Sequence, residues 1–140
     1  MIEGGFKNGS SICWLGPSGS GKTLWLCNEA ANIWHKQEKR VLYISTEMNE
    51  KAIFSRIMRS AFNSSKSDMN GKLLSIQKQG QYPWPQIKVI KVHPNDTNCN
   101  EIQEKIDKLD WKPEVIIIDY FDELKATEKA ASEYDKHEIS

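Results

Sequence analysis

The sequence is short of cysteine, has no long apolar run and carries no net charge, and each shortage removes a class of protein. Only three cysteines, Cys13, Cys27 and Cys99, occur in 140 residues. An odd number without metal-ligand spacing builds neither a disulfide framework nor a zinc site. Cys13 and Cys27 fall on apolar faces, which points to reduced thiols in a cytosolic compartment. No apolar stretch approaches the roughly 18 residues of a membrane span. The opening Met1-Ile2-Glu3-Gly4-Gly5 lacks a signal-peptide pattern. Lys and Arg number 19, and Asp and Glu also 19, so no overall field attracts nucleic acid and any basic patch is local. The length allows one domain around one core, and no internal repeat divides it. The expectation is a soluble cytoplasmic domain with no membrane partner.

Against these absences stands Gly16-Pro17-Ser18-Gly19-Ser20-Gly21-Lys22-Thr23, which satisfies G-x-x-x-x-G-K-[ST]. Glycines let such a loop curl until successive N–H groups converge on one point, and the dipole of the following helix adds its positive end there. Lys22 then reaches the β- and γ-phosphates, and the Thr23 hydroxyl helps to hold Mg²⁺. The flanks fit: Ser11-Ile12-Cys13-Trp14-Leu15 reads as a buried strand. Leu24, Leu26, Cys27, Ala30, Ile33 and Trp34 form one face of a helix beginning at about Lys22. A glycine turn with no phosphate is a poor rival in that strand–loop–helix setting. The expected ligand is a nucleoside triphosphate, ATP with Mg²⁺. Its binding set is Gly16, Pro17, Ser18, Gly19, Ser20, Gly21, Lys22, Thr23 and Leu24.

Four apolar runs, at 11–15, 40–45, 87–92 and 114–119, alternate with helical patterns at 22–37, 49–62 and 98–109. The runs are continuous rather than alternating, as in strands covered on both faces, so the pattern predicts a mainly parallel α/β sheet with right-handed crossovers. Thr97 or Asn98 is positioned to cap the third helix. Residues 63–86 interrupt the order and read as a surface excursion with a short helix near 73–77. Lys66, Lys72, Lys78, Tyr82 and Trp84 there offer cations and aromatics for single-stranded nucleic acid, although a solvated loop with Trp84 packed on the body is the stronger reading. The tail from Thr127 is polar. A four-stranded sheet that stops at its acidic strand leaves apolar edges open, which predicts that 1–140 is the front part of a larger ATPase core.

Ligands of parallel α/β sheets bind outside the carboxyl ends of the strands. Those ends here carry Gly16, Ser45-Thr46-Glu47, His93 and Asp119. Asp119 closes the run Val115-Ile116-Ile117-Ile118, where a carboxylate held by a strand can bind Mg²⁺ directly or through water. A turn-capping aspartate is the weaker alternative. Hydrolysis also needs a group to orient or deprotonate water. No glutamate directly follows Asp119. Glu47, at the end of the second strand, could do this or could merely stabilise a helix start, and spacing alone leaves the two even.

These motifs together resemble a known family. Gly4-Gly5-Phe6-Lys7-Asn8-Gly9, the phosphate loop, Ser45-Thr46-Glu47-Met48 and Asp119-Tyr120-Phe121 look like the RecA/DnaB-type hexameric replicative DNA helicases of superfamily 4, and most like those of tailed bacteriophages. Arg56 lies nine positions past Glu47, as in the family, and Phe121 replaces the family's leucine. The resemblance implies a RecA-like P-loop NTPase fold over 1–140 and the roles of catalytic base for Glu47 and Mg²⁺-linked acid for Asp119. Lys22 and Thr23 keep their loop roles. Arg56 has no derivable role beyond a salt bridge on its helix. The family's γ-phosphate sensor strand, DNA-binding loops and arginine finger lie downstream of Ser140, so the isolated chain is expected to be inactive.

The expected function is ATP hydrolysis coupled to translocation on single-stranded DNA and duplex unwinding. The partners implied are ATP, DNA held by regions beyond this chain, and further copies in a hexamer. The compartment is the cytoplasm, or the host cytoplasm for a viral protein. Rival readings are a recombinase-like or clock-like RecA ATPase, which downstream DNA loops would distinguish, and a nucleoside kinase, which needs a nucleoside pocket and lid. A non-hydrolysing ATP-gated binding module would bind ATP without turnover.

Overall fold

The computed structural model describes residues 7–68 and 86–125. The expected helix near 73–77, the aromatic part of the excursion and the polar tail lie outside them. Three strands form, β1 (Val41–Ser45), β2 (Ile87–Lys91) and β3 (Val115–Asp119). They pair in parallel in the order β2-β1-β3. The helices α1 (Lys22–Ala31), α2 (Glu50–Phe62) and α3 (Cys99–Asp107) accompany them. The helix expected over 22–37 is thus α1 followed by a π-helical turn, Asn32–Lys36. The result is the expected parallel α/β sheet with helices on both faces.

β1 owes its central place to its composition. Every one of its residues is buried, which suits a strand covered on two sides. Strand alternation divides its side chains. Val41 and Tyr43 join Cys27, Ala30, Ala31 and Trp34 below α1, with Ile53, Ile57 and Met58 of α2. Leu42 and Ile44 join Val92 and Ile102 on the opposite face, beneath α3. Glu114 fastens the other end of the sheet. It accepts from the Arg40 amide at 3.0 Å, and its carboxylate lies 3.3 Å from Arg40 Nε and 3.5 Å from Lys39 Nζ. The Arg40 amide bond, ahead of the cations, holds the Glu114 carboxyl below the usual carboxylate range.

Helix starts follow their caps. Asn49 accepts from the Ala52 amide at 2.8 Å to begin α2. Asn98, one of the two expected caps, forms a full capping box with Glu101 at the start of α3. Glu50 in the first turn of α2 accepts the Lys91 amide at 3.1 Å and ties that helix to the end of β2. The register sets Ser45 level with Asp119 on one side and Lys91 on the other, so the carboxyl ends of the three strands are flush.

One expected strand is missing. Residues 11–15 are irregular and exposed, and Leu15 retains 91% of its accessible surface. Among the described residues the sheet therefore has three strands where four were expected, and Cys13 is exposed rather than on a buried face. An apolar run becomes a strand only beside a backbone that completes its hydrogen bonds. Among the described residues β3 pairs on one edge alone, and residues 11–15 do not lie along the other. The segment instead leans on α1 through an edge-to-face contact between Trp14 and Trp25, ring centres 5.3 Å apart.

Candidate nucleotide site

The loop before α1 curls as its glycines allow. Gly19 and Gly21 take positive φ values of 76° and 87°, which side chains with a Cβ rarely adopt. Gly16 has no positive φ, and a Cβ there would come within 2.8 Å of Ser20 Oγ, a contact that rotation of the serine side chain relieves. The Ser20 amide donates to the Pro17 carbonyl at 3.2 Å, and the first helical bond runs from Trp25 N to Gly21 O at 2.9 Å. Lys22 folds back over this curl and donates to the carbonyls of Gly16 and Pro17, the latter at 3.1 Å. Thr23 and Leu24 occupy the first turn of α1.

Glu47 lies past the end of β1 and ahead of the cap Asn49. The first-turn acid of α2 is Glu50, so Glu47 is outside the helix it was weighed as stabilising. Its Oε2 accepts from the Tyr120 hydroxyl at 3.2 Å. The Tyr120 ring lies under the Lys22 ammonium, 5.7 Å from Nζ to the ring centre, a cation–π arrangement. Through Tyr120, the loop lysine and the candidate base meet although they are 25 positions apart in sequence.

Asp119 ends β3 almost wholly buried, with 3% of its surface exposed. Its Oδ2 accepts from the Tyr43 hydroxyl at 2.8 Å. Its Oδ1 is buried without a hydrogen-bond partner, the one such side-chain atom among the described residues. The Thr46 hydroxyl donates to the Asp119 carbonyl at 3.2 Å and accepts from the Tyr120 amide at 3.2 Å. The Thr46 amide adds a 2.9 Å bond to the same carbonyl. Beyond Tyr43, the Cys27 thiol of α1 lies 4.0 Å from the phenolic oxygen. Burial pushes the Cys27 thiol up to about 11. Burial, reinforced by Cys27 and Asp119, lifts Tyr43 far above the ordinary tyrosine range, so its hydroxyl remains a donor.

Sequence reasoning placed Lys22 at the start of the helix after the loop and Glu47 and Asp119 at strand ends, but missed the parts of Tyr43, Thr46 and Tyr120 in joining them. Tyr43 had passed for an apolar strand residue; the signal lies in the register, because it sits two positions before Ser45, the partner of Asp119. The salt bridge expected for Arg56 does not form: the ion pairs among the described residues are those of Glu114. Arg56 lines a groove of about 570 Å³ between α1 and α2, with Leu24, Asn28 and Arg59.

No group of three or more metal-ligating side chains occurs among the described residues. Mg²⁺ does not require one, since it keeps several waters and is held by one or two carboxylates together with substrate phosphates. The partnerless Oδ1 of Asp119 and the hydroxyl of Thr23 fit such a sparse donor set.

A parallel sheet with helices on both faces, a curled loop opening a helix and acids at two adjacent strand ends define an α/β domain of RecA-like architecture. The family model described as the DnaB-like helicase C terminal domain matches residues 1–140, and the chain belongs to that family. No curated protein matches it significantly. Membership implies an ATPase and helicase role in replication. No helix among the described residues is long and apolar enough to cross a membrane.

Proposed function

We propose that this chain binds Mg·ATP at residues 16–24 and hydrolyses it as the nucleotide-binding part of a cytoplasmic replicative helicase. The observation that carries the reading is the meeting of Lys22, Tyr120 and Glu47 beside the buried carboxylate of Asp119. Family membership supplies the context. The likeness of its motifs to tailed-phage helicases supports a phage origin, and assembly as a hexamer on single-stranded DNA follows from the same resemblance.

The loop amides and the amino end of α1 bind the phosphates. Lys22 exchanges the carbonyls of Gly16 and Pro17 for phosphate oxygens and carries its charge to them. Thr23 and Asp119 would hold Mg²⁺, which would supply neutralisation of the developing phosphate charge. Glu47 orients the attacking water and takes its proton, with Oε2 fixed by Tyr120. Coupling to translocation and duplex unwinding rests on family membership and lies outside the geometry of this site.

Glu47→Gln tests the assignment of the base. In the assembled hexamer it keeps Mg·ATP binding and lowers turnover by about 10²-fold or more. Turnover near that of the wild type would remove Glu47 from the chemistry.

A further inference from the structure

We propose that Tyr43 is a positioning residue for Asp119: its phenol holds one carboxylate oxygen and thereby leaves the other for Mg²⁺. The inference rests on the reading of Asp119 as the metal-linked acid and goes beyond it, because it explains how a carboxylate with two equivalent oxygens is made to present one.

Three observations carry it. The hydroxyl of Tyr43 is 2.8 Å from Oδ2, whereas Oδ1, equally buried, has no partner. A buried carboxylate oxygen without a donor is costly, so this asymmetry is stable only where something else satisfies Oδ1. Second, Tyr43 is itself completely buried in the central strand, with its ring packed in the core below α1 and α2. It cannot swing away as a surface tyrosine can, and the carboxylate is oriented by the core rather than by a loop. Third, the far side of the same hydroxyl meets Cys27, 4.0 Å away on α1. Cys27 is four positions after Thr23, one helical turn along the same face. The chain Cys27–Tyr43–Asp119 therefore spans from the helix that carries one proposed metal group to the strand that carries the other. Tyr43 sets the orientation of Asp119 and, through its contact with α1, its distance from Thr23.

A tyrosine that only fills the core would affect nucleotide binding equally with and without metal. A positioning tyrosine affects the metal-dependent part alone. Tyr43→Phe keeps the ring and deletes the hydroxyl, so ATP affinity is measured first in EDTA and then across a Mg²⁺ titration, beside wild type and Asp119→Asn. The expected result is affinity in EDTA within about twofold of wild type and a half-saturating Mg²⁺ concentration raised about tenfold. That is the scale of one hydrogen bond to a charged group. Asp119→Asn is expected to lose most of the metal dependence.

An unchanged Mg²⁺ requirement in Tyr43→Phe, with Asp119→Asn impaired, overturns the inference and leaves the metal reading of Asp119 standing. Unchanged metal dependence in both variants overturns the reading of Asp119 and the inference with it. Equal weakening with and without metal assigns Tyr43 to packing alone and also overturns the proposal. A second measurement avoids dependence on the folding of Tyr43→Phe. With 3-fluorotyrosine at position 43, which keeps the donor, addition of Mn²⁺ with ATP broadens the fluorine resonance and addition of Mg²⁺ does not. A resonance left sharp by Mn²⁺ contradicts the proposed proximity.

Discussion

Replacing Thr46 by valine removes a single oxygen from the clamp that joins β1 to the Asp119–Tyr120 step. Thr46 is 1% exposed, and its hydroxyl both donates to the Asp119 carbonyl and accepts from the Tyr120 amide, each at 3.2 Å. The Asp119 carbonyl keeps its 2.9 Å bond from the Thr46 amide in the variant. The Tyr120 amide loses the hydroxyl acceptor. Valine matches threonine in shape, so no cavity adds to the loss. The hydroxyl makes two hydrogen bonds, each contributing about 1 kcal/mol net, which gives about 2 kcal/mol for Thr46→Val. Thr46→Ser keeps the oxygen and loses one methyl, about 0.8 kcal/mol. Urea unfolding separates the two: with a slope of about 2 kcal/mol per molar, the Val variant unfolds about 1 M earlier than wild type and the Ser variant less than half as far. The same pair should differ in Mg·ATP affinity, because Tyr120 connects the clamp to Lys22 and Glu47. A valine variant as stable as wild type, or less perturbed than the serine variant, would refute the reasoning.

Two further outcomes follow from local geometry. Cys13 and Cys99 are exposed and Cys27 is buried with its pKa pushed up to about 11. A thiol reagent at pH 8 should therefore modify two cysteines quickly and the third only on unfolding, and rapid reaction of all three contradicts the packing of α1. Because the folded thiol binds its proton more tightly than the unfolded one, stability should hold below about pH 9 and fall as pH rises towards 11, with Cys27→Ala flattening that fall in a melting series. Asn98→Ala removes a capping box that binds the amides of Asn100 and Glu101. It should cost about 1 kcal/mol and lower the melting temperature by a few degrees, and an unchanged melt refutes the role of the cap.

Legibility in the sequence tracked the range of the interactions. Helix starts depend on one or two neighbouring residues, so the cap of α3, narrowed to Thr97 or Asn98, and the start of α1 at Lys22 could be placed closely. The continuous apolar runs at 40–45 and 114–119 announced strands, and at β1 burial on both faces explains why there is no alternation to read. The run at 11–15 is also continuously apolar after Ser11 and is not a strand. Its fate depends on a hydrogen-bonding neighbour, which no feature of the run encodes. The site divides in the same way. A glycine loop and strand-end acids are short patterns, and Gly16, Lys22, Glu47 and Asp119 stood out in them. Tyr43, Thr46 and Tyr120 act across β1 and β3, through a register fixed by folding. A tyrosine inside an apolar strand, or a threonine at its end, has no local mark of that duty.

The central claim is that residues 16–24 bind the phosphates of Mg·ATP with Lys22 as the mobile cation. Calorimetric titration of Mg·ATP into the wild-type chain and into Lys22→Ala tests it most directly. The account predicts saturable binding by the wild type and a loss of at least tenfold in the variant, the scale of one charge-assisted hydrogen bond. Equal affinity in the two proteins would contradict it.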